Sequence, residues 1–170
     1  MKTKLNQFET LFANGQVICF QHSVKSAPVF LTYPFDEKQA GAFQFFCLNP
    51  FKESASVRRA SEVLYRQGFT VEMDCCSLDL QREYFQKRLG KPSIAVFSGN
   101  KSVHNHVVIE TPISDEQEKE IVSLFKRAFP FADWKVLADK ARLCRVPGAI
   151  RENGERQSVE IIMCSLRAFT

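Results

Sequence analysis

Nowhere in the chain is there an unbroken apolar run of roughly 18 or more residues, the length a membrane-spanning helix needs. No membrane partner is therefore expected. Gly/Ser/Pro-rich linkers, low-complexity tracts and internal repeats are also missing, which argues for one domain spanning residues 1–170. Charge of one sign is not in large excess: 23 Lys+Arg face 19 Asp+Glu, a net of +4 that would suit a polyanionic partner without requiring one. Met1 to Gln7 contains Lys2 and Lys4 but no apolar stretch of the signal-peptide kind, so a cytoplasmic protein is expected. There is no C-x-x-C pair and no histidine at zinc-finger spacing from a cysteine, which argues against a zinc module.

What the sequence has in quantity is phenylalanine, 16 copies against 3 Tyr and 1 Trp, within a composition that is 45% hydrophobic. Large apolar rings in that number can build a sizeable core for this length. The six cysteines, Cys19, Cys47, Cys75, Cys76, Cys144 and Cys164, lie mostly inside apolar runs and read as free thiols packed as small hydrophobes.

Periodicity assigns the elements. Gln16–Phe20, Ala42–Leu48 and Ser93–Phe97 are short apolar runs bounded by turn formers, as buried strands are. Phe69–Asp74 alternates, placing Val71 and Met73 on one face of a strand and Glu72 and Asp74 on the other. Residues 54–67 have the composition of a helix, although Val63-Leu64-Tyr65 could equally lead into a strand. Ser77 can cap a helix over Leu78–Leu89 that Gly90 and Pro92 stop, and Ser114 to Gln117 forms a capping box ahead of a helix that Pro130 ends. Val103–Glu110, Trp134–Leu137 and Ser158–Cys164 complete the strands, with a turn at Asn153-Gly154. Strands and helices interleave, giving an α+β or α/β class around a mixed or antiparallel sheet flanked by helices.

Three groups of residues carry chemistry. Glu72 and Asp74 sit in an otherwise apolar strand, where paired carboxylates need either arginine partners or a hard divalent cation such as Mg²⁺ or Mn²⁺. Ser98-Gly99-Asn100-Lys101-Ser102 is a tight turn whose backbone amides, two hydroxyls and one ammonium suit a phosphate, and period 2 sends Ser102, His104 and His106 to one face of the following strand. Arg142, Arg145 and Arg151 cluster around Pro147-Gly148, a concentration of guanidinium groups suited to phosphate or to a basic surface loop. Asp133 is the candidate third acid, with Asp139 competing. His104-Asn105-His106 also admits an H-x-H metal endonuclease, although all three tyrosines lie upstream of it.

Taken in order, V-E-M-D, a helix bearing Gln81, K-P-S-I-A-V-F-S-G-N-K-S-V-H, A-D, R-L-C-R-V-P-G-A-I-R and Gln157 resemble the catalytic core of the archaeo-eukaryotic primase superfamily, in the form carried by phages, plasmids and other mobile elements. Upstream, F-F-C-L-N-P-F with Ser54 and Arg58-Arg59 is similar too. The resemblance spans roughly residues 43 to 160. It implies an α+β primase-polymerase-like core, RRM-like in its C-terminal half, that acts as a metal-dependent DNA primase or primer-extending polymerase. By this likeness Glu72, Asp74 and Asp133 hold two Mg²⁺ or Mn²⁺ ions, while Ser98, Lys101, Ser102, His104, Arg145 and Arg58 bind the incoming nucleotide. The implied partners are nucleoside triphosphates, a single-stranded DNA template with its primer, and a separate helicase. A catalytically reduced single-stranded nucleic-acid-binding module is the alternative.

Overall fold

The computed structural model describes residues 11–88, 93–109, 112–151 and 153–162. Its elements in chain order are strands β1 (Val17–Gln21) and β2 (Val29–Thr32), helix α1 (Glu37–Gly41), β3 (Phe45–Cys47), β4 (Gly68–Val71), α2 (Leu78–Arg88), β5 (Ser93–Phe97), β6 (Val103–Val108), α3 (Asp115–Ala128), α4 (Trp134–Ala138), β7 (Leu143–Arg145) and β8 (Ser158–Ile162). They form two four-stranded sheets, ordered β2-β1-β3-β7 and β4-β6-β5-β8, with every pairing between these strands antiparallel. The fold is thus α+β with antiparallel sheets and helices, as the interleaved pattern predicts. Among the described residues no helix is long and apolar enough to cross a membrane.

Strand alternation sorts the side chains into three apolar layers. Ile18 and Phe20 of β1, Phe46 of β3 and Cys144 of β7 face a core to which Ile94 and Val108 of the second sheet also contribute. Cys19 and Cys47, offset by one residue, point the other way and pack with Phe51 and Val63. On the second sheet, Phe69, Val71, Ala95 and Val103 pack under the helices with Phe85 of α2 and with Phe125 and Ala128 of α3. Phe20, Phe46, Phe51, Phe69, Phe85 and Phe129 are fully buried, each stabilising the fold by roughly 1.5–3 kcal/mol. The two sheets meet where the Phe46 ring stands 5.8 Å from that of His106 and where Thr70 Oγ1 lies 3.2 Å from Cys144 Sγ.

Several elements depart from the sequence pattern. The stretch expected as a strand from Trp134 is helix α4, because Asp133 caps it: Oδ1 accepts from the Lys135 and Val136 amides at 2.9 and 3.4 Å. Residues 54–67 form only a 3-10 turn at Ala60–Glu62, since Phe51 and Val63 bridge each other as extended chain and hold the segment open. Strand β4 ends at Val71, just before the two acids. β7 lies inside the basic segment, recruited by pairing Phe45 with Arg145 and Cys47 with Leu143. Cys19, Cys47 and Cys144 are buried free thiols as expected, whereas Cys75 is exposed. Leu89, Gly90, Pro92 and Cys164 lie outside the described residues.

Candidate active site

The open end of the space between the two sheets holds a cavity of about 380 Å³. Its walls come from the chain just beyond β4 (Glu72, Asp74), the β5–β6 turn (Ser98 to Ser102), His104 on β6, Phe45 and Arg145 on the paired strands of the other sheet, and Arg58, Asp139, Arg142 and Arg151 from the connecting segments. Five cationic side chains and three carboxylates therefore face one another across a space of nucleotide size.

Glu72 is the most constrained of the acids. It is buried at 8% exposure, and a lone carboxylate there would be costly. Arg142 donates to Oε2 at 3.0 Å and His104 Nε2 stands 3.3 Å from Oε1. Burial pushes the Glu72 pKa up, but the His104 and Arg142 contacts outweigh it and hold the carboxyl at about 2. Asp74, two residues on and exposed, pairs with Lys101 at 3.0 Å.

The β5–β6 turn is tied down by hydrogen bonds on several sides. Ser98 N–H donates to the Ser102 carbonyl at 2.9 Å, and Gly99 supplies the positive φ of 74° that closes the turn. A Cβ at Gly99 would stand 3.0 Å from the Arg151 side chain, so glycine also lets that guanidinium approach and donate to the Ser98 carbonyl at 2.9 Å. From beneath, the fully buried Gln81 of α2 donates to the Cys76 and Lys101 carbonyls, both at 2.9 Å, and accepts from the Val103 amide at 2.8 Å. Ser98 Oγ, Ser102 Oγ and His104 Nε2 then follow in line at 3.1 and 3.2 Å, leading to Glu72. His104 Nδ1 is buried without a partner.

On the facing wall the Arg145 guanidinium lies 4.2 Å from the Phe45 ring centroid. Burial, with Arg151 and Arg142 nearby, lowers the Arg145 pKa against the opposing pull of Glu72. Crowded guanidinium groups of this kind are relieved by an anion. Arg58 enters the cavity while its NH1 donates to the Ala141 carbonyl at 2.8 Å.

The structure brings Glu72, Asp74, Ser98, Lys101, Ser102, His104, Arg145 and Arg58 to this one cavity. Asp133 is the exception. It does not line the cavity, its carboxylate is engaged in capping α4, and only its main-chain N–H reaches the acids, donating to the Glu72 carbonyl at 2.9 Å. The third carboxylate on the wall is its competitor Asp139, at the end of the helix Asp133 starts. Arg142 and Arg151 also line the cavity; their clustering signalled phosphate contacts, but the pairing of Arg142 with Glu72 had no local signal across 70 residues. His106 shares a face with His104 yet is fully buried between the sheets, its Nδ1 3.1 Å from Thr70 Oγ1. Burial first, then His104, pushes the His106 pKa down to about 3 against Glu72. The H-x-H metal pair is therefore not assembled.

Glu72, Asp74 and Asp139 offer hard oxygen donors of the type that binds Mg²⁺ or Mn²⁺, so the donor chemistry fits such ions. Among the described residues no three His, Cys, Asp or Glu groups stand close enough together to form a ready-made metal cage. Glu72 is instead satisfied by Arg142 and His104 and Asp74 by Lys101, while Asp139 Oδ1 accepts from the Ala141 amide at 2.9 Å.

No family model and no curated protein matches the sequence. Among solved structures, the chain is similar to the AEP domain of the primase-polymerase of cyanophage S-2L, with a TM-score of 0.69 and 16% sequence identity over 98% of this chain and 91% of that one. At this identity the likeness establishes a shared fold.

Proposed function

We propose that this chain is a template-directed nucleotidyltransferase of the archaeo-eukaryotic primase superfamily, a DNA primase or primer-extending polymerase that takes nucleoside triphosphates and a primed single-stranded DNA template. The observation that carries the proposal is the opposition, across one cavity, of Glu72, Asp74 and Asp139 to Lys101, Arg145, Arg151 and the Ser98–Ser102–His104 line. The fold shared with a phage primase-polymerase domain supports it, and supports replication of mobile DNA as the setting.

In this reading the β5–β6 turn and its arginines bind the triphosphate. Ser98, Ser102 and His104 present donors along one line, and Lys101, Arg145 and Arg151 supply the positive charge that a polyphosphate needs. Arg142 and Lys101 touch both the acids and the cavity, so either can pass from a carboxylate to a phosphate. Two divalent ions, Mg²⁺ or Mn²⁺, held by Glu72, Asp74 and Asp139, would activate a primer 3′-hydroxyl and neutralise developing phosphate charge. Phe45, under Arg145, gives the cavity an apolar side against which a sugar or base can rest.

The pairing of Glu72 and Asp74 with cations favours one second reading, a reduced module that binds single strands without catalysis. Extension of a labelled primer on a single-stranded template, with Mg²⁺ or Mn²⁺ and with ribo- or deoxyribonucleotides, separates the two. Incorporation that falls at least about 100-fold in Asp74→Ala, with unchanged melting, is expected of the enzyme. Template binding with no incorporation under any of these conditions would leave the binding module as the function.

A further inference from the structure

On the helical side of the second sheet, a pocket of about 230 Å³ opens between the end of α3 and α4. Its walls are Phe129, Pro130, Ala132 and Leu137, with Trp134 and Lys126 at the rim. Phe129 and Leu137 are fully buried and form the floor, whereas Trp134 is 53% exposed and Phe131, on the same loop, 47% exposed. Two large exposed rings beside one apolar pocket form a contiguous apolar patch, the kind of surface that marks interaction sites. The Lys126 and Lys135 ammonium groups lie over the Trp134 ring, 5.1 and 5.8 Å from its centroid, and among the described residues neither has a carboxylate partner. Asp133, the nearest acid in sequence, has its carboxylate committed to the α4 amides. Arg127 adds a further positive charge to the last turn of α3.

We infer that this pocket is a docking site for an acidic peptide segment of a partner protein, one bulky apolar side chain entering the pocket and flanking carboxylates pairing with Lys126 and Lys135. Charge complementarity selects the occupant: an apolar hole rimmed by unpaired ammonium groups rejects a basic or purely apolar segment and rewards an acidic one carrying an anchor. A single-stranded nucleic acid is the poorer fit. The pocket is an apolar hole floored by Phe129 and Leu137, and Lys126 is the one polar side chain in its lining, so it suits an inserted apolar side chain better than the polar edge of a base. The pocket is separate from the cavity between the sheets and shares no lining residue with it.

Trp134 is the sole tryptophan of the chain, so its emission reports occupancy directly. The probe is a dye-labelled synthetic peptide of about ten residues in which aspartates flank one phenylalanine, titrated by anisotropy and by Trp134 emission against the full chain. Saturable binding is expected, weakened at least about tenfold by Trp134→Ala, by Lys126→Glu with Lys135→Glu, and by serine in place of the peptide's phenylalanine. The charge-reversal pair lies on exposed side chains and keeps the test valid should Trp134→Ala fold poorly. Absence of saturable binding up to about 1 mM peptide, or binding indifferent to both variants, overturns the inference. So does an oligothymidylate whose affinity falls with Trp134→Ala while the peptide fails to bind.

Discussion

Glu72 should make the metal-free protein sensitive to acid in a defined window. Its carboxyl pKa falls from 4.5 to about 2 on folding, because His104 and Arg142 overcome the opposing effect of burial. A group whose pKa is depressed in the folded state contributes stability that is fully present above the unfolded value and disappears as pH drops through the folded one. A fall of this size corresponds to about 3 kcal/mol, present at pH 6 and lost progressively between about pH 5 and pH 2. Other carboxylates titrate in the same range, so the informative quantity is a difference. Urea unfolding in the presence of a chelator, for the wild type and for Glu72→Gln across pH 2 to 7, isolates it: the gap between the two proteins should close by about 3 kcal/mol as the solution is acidified. A gap that stays constant across the series would refute the argument, since Glu72 would then have the same proton affinity folded and unfolded.

The two aspartates at the ends of α4 should separate on activity: Asp139→Ala should cut primer extension at least about 100-fold and cost about 1 kcal/mol, since its Oδ1 accepts from the Ala141 amide at 2.9 Å, whereas Asp133→Ala should cost about 1 kcal/mol of stability as a lost helix cap and leave extension within a few fold. Gly99→Ala places a side chain at φ 74° against Arg151 and should lower both stability, by about 1 kcal/mol, and triphosphate affinity in a nucleotide titration. Arg66 is buried and donates to Glu118 at 2.8 Å and to the Ala138 carbonyl at 2.9 Å; because Glu118 keeps Lys140 at 2.8 Å, Arg66→Ala should cost about 1–3 kcal/mol in chemical denaturation, from the lost hydrogen bonds rather than from an unpaired carboxylate.

Local grammar was readable where neighbours in sequence are also neighbours in space. The Ser114–Gln117 capping box, the alternation that buries Val71 and Met73, and the tight turn at Gly99 each depend on a few adjacent residues, and each is found as the pattern dictates. Long-range pairing was not readable. Nothing near Arg142 announces Glu72, and nothing near Leu143 announces that β3 will draw it into a strand. The placement of Asp133 and Asp139 was hidden for the same reason. An aspartate ahead of a short apolar stretch can begin a strand beside the other acids or cap a helical turn, and only the turn's own geometry decides, carrying the second aspartate to the cavity wall.

The contact between Arg142 and Glu72 joins chain flanking β7 of one sheet to chain flanking β4 of the other. It is therefore a latch across the mouth of the cleft as well as an ion pair within it. Any polyanion that attracts Arg142 competes with the latch, so part of its attraction is offset by loosening the junction between sheets. Tightness of closure and appetite for phosphate are thus opposed at a single guanidinium. Substitutions that weaken the latch from the Glu72 side should yield a protein that melts earlier and grips anions harder.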